Sequence, residues 1–160
     1  VKGTMAGILA GITVLCTVAS IWFMVSRAPD PDNTALVDAN TTKTVTDQVG
    51  RAIRTIFSYD PTQLDQTAAE AGKVLTGQAM TQYNALFNAA KDHALTTHQV
   101  LTTAVRSIGV TTLRNDTAKL LVFVDRQVVT GDQHQSAVAQ LLVTATQSGD
   151  SWKIADIQVF

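Results

Sequence analysis

TAKLLVFVDRQVV, Thr117–Val129, is rich in β-branched and apolar residues and holds neither glycine nor proline. It reads as a strand. Three segments of the same character flank it: Val100–Leu113, Ser136–Gln147 and Trp152–Val159. Between them lies turn chemistry, Asn115-Asp116, Gly131-Asp132 and Ser148-Gly149-Asp150. Turns this short join antiparallel neighbours, so the C-terminal part predicts a four-stranded meander. Gly109, inside the first strand, is the expected bulge. Leu121 and Phe123 share one face of the second strand and Leu120 and Val122 the other. Both faces are therefore partly apolar, and one of them needs a helix or a partner.

Upstream of His98 the period is helical. Val45, Val49, Ala52, Ile53, Ile56 and Phe57 fall on one arc of a long helix over Thr34–Phe57, with Lys43, Asp47, Arg51 and Arg54 opposite. Asp60-Pro61 starts a shorter helix, Asp60 as its cap and Pro61 in its first turn. A third runs from Thr76 to Ala94, with Ala79, Tyr83, Leu86, Phe87, Ala90 and Ala94 toward the core. Helices followed by a consecutive sheet make an α+β domain, the long helix packed on a curved four-stranded antiparallel sheet.

The chain has 160 residues, and its apolar excess is concentrated at one end. Met5–Val25, MAGILAGITVLCTVASIWFMV, is 21 residues without a charge. As a helix it would be roughly 32 Å long, enough to cross a bilayer. It is too long for a signal h-region and closes on Trp22 and Phe23 instead of a small-x-small site, so residues 1–27 read as an uncleaved anchor. Trp22, Phe23 and Arg27 would sit at the membrane interface. Gly3, Gly7 and Gly11 recur every four residues, the spacing that lets a second membrane helix approach closely. Residues 28–33 hold two prolines and no apolar residue larger than alanine, a stiff linker. Residues 34–160 form the domain. Lys2 and Arg27 flank the span evenly, so charge alone does not orient it; an anchor followed by a large acidic domain leaves that domain outside.

Beyond those two flanking cations, 10 basic residues face 13 acidic ones, a net charge of 10 − 13 = −3. That argues against nucleic acid, which needs a basic face. One cysteine, inside the span, excludes a disulfide framework and a thiolate metal cluster. His93 and His98 are five apart and miss the i, i+4 ligand spacing, so neither a metal nor a cofactor is expected. Asp125, Arg126 and Asp156 are charges set in apolar strands and are the candidates for an acid/base pocket. The alternation of strands points them instead to solvent or to cross-strand pairs, Asp125 beside Arg126 included, so no enzyme is expected.

Phe57-Ser58-Tyr59-Asp60 followed by Leu64, a helix with Tyr83, the Ala118–Val122 strand and the ending Gly149-Asp150-Ser151-Trp152-Lys153-Ile154-Ala155-Asp156-Ile157 complete the pattern. Together with the span they resemble the Mce-associated membrane proteins of mycobacteria and related actinobacteria. The resemblance implies an NTF2-like (cystatin-like) domain on the periplasmic side of the inner membrane. It also implies an accessory subunit of an Mce-type ABC lipid or sterol importer, with the permease and MCE-domain subunits as partners. The alternative is a tethered module that holds a membrane lipid in the cone between helix and sheet, lined by Val45, Val49 and Ile53. A homodimer is compatible with either.

Overall fold

The computed structural model describes residues 32–35 and 38–160. Gly3, Gly7, Gly11, Trp22, Phe23 and Arg27 lie outside the described residues. Among the described residues no helix is long and apolar enough to cross a membrane.

The domain is α+β. Helix α1 spans Ala39–Ile56, a 3-10 turn spans Pro61–Gln63, and α2 (Leu64–Val74) and α3 (Gly77–Thr97) follow. Strands β1 (Val100–Arg114), β2 (Thr117–Thr130), β3 (Gln133–Ser148) and β4 (Ser151–Val159) form one antiparallel sheet in chain order. All three hairpins have two-residue loops, and each opens on a residue with positive φ: Asn115 (46°), Gly131 (57°) and Gly149 (61°). Positive φ at the first loop residue alone is the pattern of a II′ turn, whose twist matches the strands it joins.

Alternation along the strands builds the core. Ala118, Leu120, Val122 and Val124 of β2 face the helices with Leu141, Val143 and Ala145 of β3 and Ile154 of β4. Against them α1 lays Val45, Val49 and Ile53, each with no exposed surface. At about 25 cal/mol per Å² such residues are the main source of the domain's stability. The bulges are not at Gly109, which pairs with Leu121 in register; they fall to either side, where Arg106 and Thr111 are the extra residues of β1. A third shift lies in β4 opposite Thr144 and Ala145.

Polar side chains fix the joints. Asp38 caps α1, its carboxylate accepting from the Thr41 amide at 2.9 Å, and Asp60 caps the 3-10 turn through the Thr62 amide at 2.8 Å. The Thr41 amide holds the Asp38 carboxyl below the usual aspartate range, and the Thr62 hydroxyl, with the Thr62 amide, does the same for Asp60. Asn33 takes the Leu113 amide on Oδ1 at 2.9 Å and gives Nδ2 to the Thr111 carbonyl at 2.9 Å. It therefore belongs structurally to the end of β1.

A candidate docking groove under helix α3

Helix α3 departs from the sequence expectation. Its two ends touch the core through Ala79 and Ala94, each 1% exposed, but Leu86 at its middle is 68% exposed. Alanines permit close approach at the ends, while Tyr83, Leu86 and Phe87 stand the middle off. Tyr83 and Phe87 stack on each other with ring centroids 5.3 Å apart. Beneath the helix run two adjoining apolar cavities of about 340 and 400 Å³. Ile56, Phe57, Tyr83, Leu86 and Val159 line both, so they form one groove.

Tyr59, Tyr83, Gln82, Lys91 and Arg126 interrupt its apolar wall, and three of them bear on what it could hold. The Tyr59 hydroxyl bonds Gln99 Oε1 at 2.8 Å, and its backbone bridges Leu101 in both directions. Burial raises the Tyr59 phenol above its ordinary value, with the charge of Arg126 opposing the rise. The Tyr83 hydroxyl is buried without a partner, and burial pushes its pKa up to about 12. Arg126 faces the groove too, and its Nε is buried and unpartnered. Unsatisfied polar atoms in an apolar wall suit a ligand that brings both apolar surface and a hydrogen-bond acceptor.

The sequence candidates for catalysis are not brought together. Asp125 faces the opposite side of the sheet from Arg126 and pairs with Arg106, whose Nε lies 2.9 Å from Oδ2. Asp125 therefore makes a cross-strand pair, with the bulge residue of β1. Asp156 lies on β4, with β3 between it and Asp125, and accepts from Gln158 at 3.3 Å. His98 is the left-handed C-cap of α3. Among the described residues no three His, Cys, Asp or Glu side chains gather as a metal site. Arg126, expected toward solvent or in a cross-strand pair, instead lines the groove; the signal that finds it is the inward series of even-numbered residues in β2, which it continues. The groove itself was not legible, because a helical wheel tells which side of α3 faces inward but not how far the helix stands off.

No protein-family model matches the chain, and no curated protein matches it. Solved structures do. CagV of Helicobacter pylori, a VirB8 homologue of a type IV secretion system, is 13% identical with a TM-score of 0.61 over 73% of this chain and 96% of that one. An IcmL-like type IV secretion protein of Legionella pneumophila is 11% identical with a TM-score of 0.66, over 74% and 91%. The periplasmic domain of DotI is 10% identical with a TM-score of 0.64, over 78% and 96%. This is the NTF2-like fold of VirB8 domains.

These neighbours overturn the Mce resemblance and what it implied: the lipid importer, the permease and MCE-domain partners, and the mycobacterial setting. The residues that carried it answer to the fold. Gly149 holds a positive φ in a hairpin, Trp152 and Ile154 are buried, and Asp60 caps a turn. Any chain folding this way has uses for them. The lipid-carrying alternative is unsupported as well, since Val45, Val49 and Ile53 fill the core and line neither cavity of the groove.

Proposed function

We propose that the chain is a VirB8-like component of a type IV secretion apparatus, a scaffold subunit that does no chemistry. Its domain stands on the periplasmic side of the inner membrane. Residues 1–27 anchor it by a single span, a short linker follows, and the domain takes in Asn33 and what comes after it. Gly3, Gly7 and Gly11 pack against another membrane helix of the apparatus, with Trp22, Phe23 and Arg27 at the interface. The observation that carries this reading is the extent of the likeness, which takes in 91–96% of the secretion domains named above. The groove under α3 is the surface offered to other secretion components, its apolar wall receiving a side chain and Arg126 or Tyr83 an acceptor.

The test is purification of the tagged full-length chain in gentle detergent, with mass spectrometry of what accompanies it. Other type IV secretion components in stable ratio are the expected result. Recovery of the chain alone, or with a lipid importer, would overturn the reading.

A further inference from the structure

The groove under α3 changes character along its length. The cavity of about 340 Å³ lies against the C-terminal half of the helix, with Phe87, Ala90, Lys91 and Ala94 in its wall. Its charged residues are Lys91 and Arg126, both cations. The cavity of about 400 Å³ lies against the N-terminal half, with Ala79, Gln82 and Ala85, and has no charged residue. Tyr83 and Leu86 stand between and line both. One end of the groove is therefore cationic, and the other is neutral and apolar.

The cationic end lacks an anion. Arg126 Nε is buried with no hydrogen-bond partner, and Arg126 joins no ion pair among the described residues. Lys91 Nζ lies 3.1 Å from Asp65 Oδ1, but the Asp65 side chain is 96% exposed. A pair so open to water is worth little and gives way to a better acceptor. The Tyr83 hydroxyl is a further buried donor without an acceptor. A carboxylate answers all three groups at once, since its two oxygens accept several bonds and its charge offsets the buried guanidinium.

The rim decides between a small anion and a chain. Leu86 is 68% exposed and Val159 64%, and each lines both cavities. A small anion sunk beside Arg126 would leave both in water, whereas a peptide lying along α3 covers them. We propose that the groove holds an acidic segment of a partner protein, a large apolar side chain in the neutral cavity and an Asp or Glu in the cationic one. That the partner is a secretion component rests on the function proposed above; the chemistry of the segment rests on the groove.

The spacing of the two anchors follows from the helix beside them. Gln82 and Lys91 mark the two ends and lie 91 − 82 = 9 positions apart on α3. At about 1.5 Å per residue that is roughly 13 Å. An extended chain advances about 3.3 Å per residue, so the acid falls about four residues from the apolar anchor.

Selection from a random peptide library displayed on phage tests this, with the tagged full-length chain in detergent as the target. Counter-selection on Leu86→Arg, which alters the mouth and adds a cation, removes peptides that bind by charge alone. The survivors should share an Asp or Glu about four residues from a Phe, Trp or Leu. With one survivor fluorescently labelled, anisotropy should show a Kd about tenfold weaker when its acid is replaced by the matching amide. Arg126→Met should cost the original peptide a similar factor, and the two changes together should lose little more than either alone. Lys91→Met should weaken binding by less, about threefold, because Asp65 already shares that ammonium. The acid-to-amide change leaves the protein untouched, so a folding defect in Arg126→Met cannot imitate it.

Peptides without a common acid, or no peptide at all, overturn the inference. So does an acidic peptide indifferent to its own acid, or losses that multiply in full when the two changes are combined. No secretion component enters the selection, so the two readings fail separately. Acid-free peptides beside a chain that co-purifies with the apparatus overturn the acidic segment alone. Acidic peptides beside a chain that co-purifies with nothing support the segment and overturn the scaffold reading alone.

Discussion

The Trp152 amide at the head of β4 donates to Gln48 Oε1 on α1 at 2.6 Å, and Gln48 Nε2 returns a bond to the Asp150 carbonyl at 3.3 Å. One side chain thus fastens the long helix to the last hairpin. Gln48→Leu leaves a half-buried amide without an acceptor, which costs about 1–3 kcal/mol. Urea unfolding of the full-length chain in detergent checks it, and an unchanged midpoint would show that water replaces the bond.

Core and groove separate cleanly by stability. Ile53 has no exposed surface, so Ile53→Ala should cost about 2–5 kcal/mol through lost burial and the cavity it leaves. Leu86 is 68% exposed, and Leu86→Ala should change stability by no more than about 0.5 kcal/mol. In the co-purification experiment the order reverses: Leu86→Arg should strip partners from a chain that remains folded.

Arg126 carries a buried, unpartnered Nε in an apolar wall. A methionine there keeps the bulk and removes the unsatisfied donor, so Arg126→Met should shift stability by less than about 1 kcal/mol, in either direction. The same variant should weaken partner recovery if the guanidinium meets an acceptor. A clear drop in the unfolding midpoint with partner recovery unchanged would assign Arg126 to the fold instead.

The Tyr83 phenol has its pKa pushed up to about 12 by burial. The folded state therefore favours the neutral form. That contribution is fully present below the unfolded tyrosine value near 10 and is lost as pH rises toward 12. Stability should fall over this interval in the native chain, and Tyr83→Phe should remove that part of the slope. Ultraviolet titration of the phenolates, compared between the two, reads it directly.

The sheet was legible in the sequence because its signals are local. A period of two and three turns ending in aspartate specify four neighbouring strands, and the capping roles of Asp60 and Pro61 need no tertiary knowledge. What was hidden depends on distance between elements. Arg106 reaches Asp125 only because β1 bulges beside it. The stand-off of α3 is set by alanines fifteen positions apart, Ala79 and Ala94, whose identical chemistry looks like ordinary helix former. The tryptophan ending misled for the opposite reason: Trp152 and Ile154 are demanded by the core, and a core recurs wherever the fold does.

The Gln48–Trp152 bond also orders events in time. Its partners lie 104 residues apart in the chain. At ribosomal speeds of about 5–20 residues per second, α1 is complete for about 5–20 s before β4 has been made. The three hairpins close between sequence neighbours and cost little loop entropy, so the sheet zips up as it emerges. Throughout that interval Val45, Val49 and Ile53 have no finished surface to bury against. Within the domain, the helix that organises the native core is the first element made and waits longest for its full surface.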